Sequence, residues 1–537
     1  LTRGDEHRFI QEIPRPFLEN ILKLYFKKER ESYYSLIDGI VQNQHIYSLF
    51  CALITKLSLN NLFEKQINLG DTFDRGEGPD KLIKIYRYYL STEQSPFYYI
   101  WGNHDILWMG AALGNPVLVA TAVRISLRYQ NVDFLHRYGF DLEKLKKLAL
   151  KTYHHLPTGK YLSEQENGAF TAEEAVRMAK ILQIIESKLT YSYLRELQQD
   201  DLYGDLYKEM FYQYQQVFKL LPSGLPADPA IWESYRKEHP LYLDVYFPTI
   251  KAENPGELTS EEQEIIDDLT RQFISLENFR QDLLWFFQKG QIYQVIDQTL
   301  YYHAAIPATI NGELETLWGL QGRALLDFIQ SEIKRLGEKL QERSPVALEE
   351  KMFFWYLWCG PLSPFFCKNK MATMERAIFD KEEAKKGTVT THSETPNPYY
   401  QYIRQDKFVF KILDEFHAER LCMGHTPVKS IAQAILGEKG RAFIVDGGAS
   451  SAFGDQGAVL IATPDYTYLT IHPGLQELQK AQAENRLPDI EVRPLEERRK
   501  MRVENLDEGV LLKEELKVID ELLESKLAPF CQNYFAI

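Results

Sequence analysis

The sequence predicts a mixed α+β fold in which a long helical segment interrupts two stretches that alternate strands with glycine-bordered loops. Three observations lead there. First, the short apolar runs Gln66-Ile67-Asn68-Leu69 and Phe97-Tyr98-Tyr99-Ile100-Trp101 read as strands. Each runs straight into a polar loop, Gly70-Asp71-Thr72-Phe73-Asp74-Arg75-Gly76 and Gly102-Asn103-His104-Asp105. Second, from about residue 131 to residue 291 the chain is charged and mostly helical in pattern. Leu, Ile, Tyr and Glu recur at a spacing near 3.6 from Thr171 to Phe218, with breaks at Gly168, Pro222 to Pro229 and Pro240. Third, strand-and-loop alternation returns from Ile292 to about Pro473, interrupted by helices.

These boundaries divide the chain as follows. Residues 1–63 form an N-terminal helical segment, with Phe17, Ile21, Leu24 and Tyr25, then Ile40, Ile46, Leu49 and Ile54, at helical spacing. Residues 64–130 and 292–474 form one split domain that carries the loops, and Trp108 to Leu127 adds a helix behind the second of them. Residues 131–291 are a mainly helical insertion; no strict heptad persists, which favours a packed helical domain over a coiled coil. Residues 475–537 close the chain in a charged helical pattern. No internal repeat is visible.

At 537 residues the chain can bury a substantial core over two or three domains. Its 62 basic and 76 acidic residues give a net charge of −14, which argues against general nucleic-acid binding. The five cysteines, Cys51, Cys359, Cys367, Cys422 and Cys531, show no CxxC spacing, so neither a zinc ribbon nor a disulfide framework is indicated. No run approaches eighteen apolar residues and the first residues do not form a signal peptide, so a cytoplasmic protein without membrane association is expected.

The loops carry the chemistry. Three more of the same kind follow: Tyr301-Tyr302-His303-Ala304-Ala305-Ile306-Pro307, Met423-Gly424-His425-Thr426-Pro427 and Ile444-Val445-Asp446-Gly447-Gly448. Carboxylates, an amide oxygen, imidazoles and a guanidinium on tight loops can hold hard cations and a phosphate. The ordered set GDxxDRG, GNHD, HxxIP, GHTPV and DGG resembles the calcineurin-like metallophosphoesterases. GHTPV followed by IVDGG, with WGNHDILW upstream, is similar to the class III bacterial fructose-1,6-bisphosphatases in particular. The likeness extends over most of the chain, including Asn397-Pro398-Tyr399-Tyr400 and the helical insertion.

That resemblance implies an αββα sandwich, two Mn²⁺ or Mg²⁺ ions and a hydroxide nucleophile activated between them. It implies that Asp71 bridges the ions, that Asn103, His303 and His425 complete the second ion's shell, and that His104 is the general acid oriented by Asp74. Arg75 would meet the phosphate. The residues leave alternatives open: a turn-capping Asp71, a loop-bracing His104–Asp74 pair, and an Arg75 ion-paired with Glu77 or Asp80. Ala304 and Ala305 stand where the broader family has glycines. Asp446 suits loop support better than metal binding. For a second phosphate the cationic candidates are Lys368, Lys370, Arg376, Arg124 and Lys429, each of which reads first as a solvated surface charge, and Arg441 is a weaker one. The aromatic run Phe353 to Trp358 reads as core before it reads as a sugar platform.

One family element has no counterpart. The expected Asp-x-His motif upstream of Gly70 is missing, and the flanks Arg3 to Phe9 and Gln11 to Phe17 resemble family segments that are not contiguous. The expectation is a segment lost between Phe9 and Gln11; His7 is a lone histidine in a charged stretch and a poor substitute. The implied activity is hydrolysis of fructose 1,6-bisphosphate to fructose 6-phosphate by a homo-oligomeric enzyme. The competing readings are a phosphoprotein phosphatase, a dinucleoside-polyphosphate hydrolase and a catalytically idle relative.

Overall fold

The computed structural model describes residues 65–87, 96–154, 169–198, 204–222, 224–368, 378–386, 395–463 and 466–497, with residues 42, 513, 516 and 517 singly. The N-terminal helices expected between Arg15 and Phe63, and the junction from Phe9 to Gln11, lie outside these residues. The described chain is α+β, as the alternation predicts. It falls into two compact units, residues 1–68 with 78–99 and residues 69–77 with 100–537.

In the first unit, strands β1 (Gln66–Asn68) and β2 (Phe97–Ile100) pair in parallel, with Gln66 opposite Phe97 and Asn68 opposite Tyr99. Helix α1 (Pro79–Ile85) opens on a proline, whose missing N–H costs nothing in a first turn, and on Asp80, which complements the helix dipole. Tyr86 follows it and stacks on Phe97 with ring centres 5.0 Å apart.

The second unit holds the remaining core. Helices α2 (Asn103–Ala112) and α3 (Pro116–Arg128) are followed by the 26-residue α4 (Ala172–Leu197), then α5 (Ser260–Ser275) and α6 (Glu277–Lys289). Their starts are written in the sequence. Asn115 accepts the N–H groups of Val117 and Leu118 ahead of Pro116, and Thr171 with Glu174 and Thr259 with Glu262 form reciprocal capping boxes. Helix α4 is buried on most sides and its charges are paired. Lys180 meets Asp244 at 2.7 Å, Lys188 meets Glu262 at 2.7 Å, and Arg124 of α3 meets Glu186 at 2.6 Å. Arg124 is therefore committed to helix packing and is withdrawn as an anion-binding candidate, since parting a buried pair strands a charge.

Helices α7 (Gly322–Glu342), α8 (Leu348–Cys359) and α9 (Asp406–Phe416) complete the helical layers. In α8 every residue from Met352 to Cys359 is buried, so the aromatic run is core. A five-stranded sheet contains β3 (Tyr293–Ile296), β4 (Thr299–Tyr302), β5 (Arg420–Met423), β6 (Ile435–Leu436) and β7 (Ala442–Ile444), in the order β3-β4-β5-β7-β6. The central three run parallel and the two edges are antiparallel. Their carboxyl ends lead into His303, into Gly424 and His425, and into Asp446. That is the end of a parallel sheet where ligands are bound.

Residues 491–497, expected in a helical pattern, form a strand instead. Strands β8 (Gly457–Ala462), β9 (Tyr466–His472) and β10 (Glu491–Glu497) form an antiparallel sheet, and only α10 (Leu475–Ala483) is helical among the described residues after 474 outside 513, 516 and 517. β10 is an edge strand, where a charged composition is tolerated. Its Pro494 pairs with Tyr468 beside a register shift that falls between Thr467 and Tyr468. Charge density concealed the period-2 signal.

One apolar residue anchors the first polar loop. Phe73 is 4% exposed and stacks on Trp108 of α2 at 5.0 Å, with Phe286 at 5.6 Å and Phe134 at 6.3 Å. The loop is thus pinned into the aromatic core between Asp71 and Asp74. Phe73→Ala is expected to destabilise the protein by about 3–5 kcal/mol in urea unfolding, the cost of emptying a buried aromatic site. A loss below about 1 kcal/mol would contradict the anchoring role.

Candidate active site

All the site residues below belong to the second unit. The loop at residues 70–76 and the N-terminus of α2 are locked together by one carboxylate: Asp105 Oδ2 accepts the N–H of Gly102 at 2.8 Å and that of Asp71 at 2.9 Å. The His104 N–H in turn donates to Asp71 Oδ1 at 2.9 Å. The approach is close enough to require glycine, because a Cβ on Gly102 would lie 2.1 Å from Asp71 Oδ1. Asp105 was part of the Gly-Asn-His-Asp motif, yet nothing in the sequence distinguished its tying role from that of a ligand.

Four side chains converge. His303 Nε2 lies 3.3 Å from Asp71 Oδ2 and 3.3 Å from Asn103 Oδ1, and His425 Nδ1 lies 3.0 Å from the same Asn103 oxygen. Ligand atoms of Asp71, His303 and His425 all fall within 4.8 Å of one another. Donors bound to one cation at ~2.1 Å are about 3.0 Å apart in an octahedral shell and about 3.4 Å apart in a tetrahedral one. The observed separations match an ion's coordination edges, and two imidazoles, a carboxylate and an amide oxygen fit a divalent cation. His425 Nε2 is also buried with no hydrogen-bond partner among the described residues.

The surroundings fix tautomer and charge. His303 Nδ1–H donates to the Leu69 carbonyl at 2.6 Å, which turns Nε2 toward the cluster. Burial opposes charge on this ring, but the Asp71 carboxylate beside it prevails and raises its pKa to about 9. Burial would likewise raise the Asp71 pKa, yet the neighbouring His303, followed by His104 and His425, holds it far below the usual carboxylate range. His425 is pushed well below the ordinary histidine value by burial, then by the charges of His303 and Lys368.

A second group adjoins through Asp71: Asp71, Asp74 and His104 also lie within mutual reach. His104 Nε2 is 3.0 Å from Asp74 Oδ1, and Arg75 Nε is 3.1 Å from that same oxygen. His104 Nδ1 is buried without a partner among the described residues, and the ring meets the edge of Trp358 at 5.0 Å. Burial disfavours the charged ring, but Asp74 outweighs it and the His104 pKa is raised. Asp71, Arg75 and His425 all adopt left-handed backbone, with φ of +62°, +66° and +67°. Strain of this kind in non-glycine residues gathers where function demands a fixed geometry.

The phosphate candidates separate. Lys368 lies at the rim, its Nζ 5.1 Å over the Phe366 ring, which packs on His425 at 6.1 Å. Lys370 and Arg376 lie outside the described residues. Arg441 precedes β7 and pairs through its backbone with Leu421, so it sits at the amino end of the strand that delivers Asp446 from its carboxyl end. The structure does not bring it to the site. Lys429 is exposed on the segment after Pro427 and is not among the contacts of the cluster. Asp446 Oδ1 accepts the Gly448 N–H at 2.9 Å, the loop support expected of it.

Residues of Asn397-Pro398-Tyr399-Tyr400 brace the cluster from behind. Tyr399 hydroxyl bonds that of Tyr302, next to His303, and Tyr400 stacks beside His425 at 6.4 Å while donating to the Phe366 carbonyl. No helix among the described residues is long and apolar enough to cross a membrane.

Comparison with known proteins gives the chain's relatives. No solved structure matches the chain. It is 31% identical to the class 3 fructose-1,6-bisphosphatase of Fusobacterium nucleatum over 80% of its own length and 64% of that protein's. Against the class 3 fructose-1,6-bisphosphatase of Clostridioides difficile the identity is 28%, over 97% of this chain and 78% of the relative. Against that of Porphyromonas gingivalis it is 30%, over 91% and 75%. The chain spans just under two thirds of the Fusobacterium relative and about three quarters of the other two. The family model described as Firmicute fructose-1,6-bisphosphatase matches residues 8–526, and the chain belongs to that family.

Proposed function

We propose that this chain is a metal-dependent phosphatase that hydrolyses fructose 1,6-bisphosphate to fructose 6-phosphate and inorganic phosphate, on a calcineurin-like core. The observation that carries the reading is the convergence of Asp71, Asn103, His303 and His425 beside the His104–Asp74–Arg75 group. Asp71, Asn103, His303 and His425 would hold one ion, and Asp71, common to both groups, would be shared with a second. Imidazole and oxygen donors together suit Mn²⁺ better than Mg²⁺. Bound there, the ions supply Lewis acidity toward a phosphoryl oxygen and acidify water at neutral pH.

The protein's own groups supply the rest. Arg75 presents a guanidinium whose Nε forms an ion pair with Asp74 Oδ1 at 3.1 Å, leaving its terminal nitrogens for a bidentate phosphoryl contact. Asp74 Oδ1, 3.0 Å from Nε2, stabilises the imidazolium of His104 as its ion-pair partner, so Nδ1–H is the proton delivered to the departing sugar alkoxide. Trp358 packs against that ring and restricts its motion. Lys368, at the His425 side of the cluster, is the candidate for the phosphate that stays on the sugar.

A phosphate-release screen over sugar bisphosphates, phosphopeptides and dinucleoside polyphosphates, with Mn²⁺ and Mg²⁺ compared, tests the assignment. Release fastest from fructose 1,6-bisphosphate supports it. A preference for phosphopeptides or dinucleotides would transfer the chain to another substrate class on the same chemistry.

A further inference from the structure

Arg75 does more than pair with Asp74. Its guanidinium carbon lies 4.6 Å from the centre of the Tyr129 ring and 4.5 Å from that of Phe453. A planar cation lying over two aromatic rings, with Nε in ion-pair range of Asp74 Oδ1 at 3.1 Å, has few orientations left to it.

The two rings reach Arg75 from separate parts of the chain. Tyr129 caps the carboxyl end of α3 and also carries the Arg128 guanidinium 5.6 Å from its centre, so a second positive charge stands beside the first. Phe453 ends the short 3₁₀ turn Ser451–Phe453 that follows Asp446-Gly447-Gly448. That loop is shaped to deliver it. Asp446 fixes the Gly448 N–H, Gly448 takes φ +67°, and a Cβ there would fall 2.5 Å from Phe453 Cβ, so only glycine leaves room for the ring. The Asp-Gly-Gly loop thereby sets the place of the Phe453 ring.

We propose that Tyr129 and Phe453 are positioning residues that clamp the Arg75 guanidinium between two aromatic faces and hold its terminal nitrogens in place for a phosphoryl group. The proposal rests on the reading of Arg75 as the phosphate-binding cation. A free arginine must freeze its side chain each time it binds an anion; a clamped one has done so beforehand, and the gain appears as phosphate affinity. The rings also shield the contact from water, which strengthens it.

The test uses the full chain loaded with Mn²⁺ and inorganic phosphate as the probe, measured by calorimetry and as a competitive inhibitor. Phe453→Leu and, independently, Tyr129→Leu keep bulk and remove the π face. Each is expected to weaken phosphate binding about three- to tenfold and to raise KM by a similar factor. Bound Mn²⁺ should not change, and Phe453→Tyr should restore affinity. Arg75→Ala should weaken phosphate at least as much and make Phe453→Leu silent when the two are combined. If Arg75→Ala weakens phosphate and both leucine variants leave it unchanged, the clamp is wrong while the role of Arg75 stands. If Arg75→Ala itself leaves phosphate affinity unchanged, the reading of Arg75 fails and the clamp with it. A folded leucine variant that loses Mn²⁺ instead of phosphate affinity would make the rings structural supports and overturn the proposal.

Discussion

His104→Asn is expected to lower turnover on fructose 1,6-bisphosphate by about 10²- to 10⁴-fold, the range for a lost general acid, with the content of bound metal unchanged. The geometry separates the two effects. His104 directs Nε2 to Asp74 and keeps Nδ1 for the leaving group, while its backbone N–H, which any residue retains, is what braces Asp71. Asparagine preserves that brace and cannot deliver a proton at neutral pH. The loss should also shrink for a substrate whose leaving group is already acidic, such as an aryl phosphate, because an acidic leaving group needs no proton. Equal losses on sugar and aryl phosphates would mean that His104 does not serve as the acid.

Asp71→Asn should abolish activity by a different route, through loss of metal. Among the described residues Asp71 is the one carboxylate grouped with His303 and His425, and it is the member common to both groups of ligands. Replacing one oxygen by an amide nitrogen removes the negative charge that balances a divalent cation. Where the amide nitrogen faces the His104 N–H, it also sets donor against donor. Metal analysis after gel filtration should find less than half the metal of the unaltered protein, and a large excess of Mn²⁺ should recover activity only in part. Full metal content with the same loss of activity would assign Asp71 a role in the reaction step alone.

Much of this was legible because the chemistry sits where local patterns are strongest. The strands before Gly70 and Gly102 and the sheet carrying His303, His425 and Asp446 follow from short apolar runs ending in glycine. Positions that depend on which end of a strand a residue occupies were not legible. Arg441 is five residues from Asp446 in sequence, but a strand advances about 3.3 Å per residue and carries it to the opposite edge of the sheet. Arg124 lay near the site in sequence, yet its partner Glu186 is 62 residues away and could be found only by folding. Phe73 and Asp105 were in plain view inside the motifs. Their roles as anchor and tie depend on Trp108, Phe286 and the facing loop, so residue type alone could not assign them.

The central claim is that four loops, brought together although Asp71 and His425 stand 354 positions apart in the chain, hold a catalytic cation. Anomalous diffraction at the manganese edge, from crystals of the full chain grown with Mn²⁺, tests this most directly. The account predicts a peak within about 2.0–2.3 Å of Asp71, Asn103, His303 and His425 donor atoms. A crystal that takes up Mn²⁺ elsewhere and shows no peak among these four side chains would contradict it.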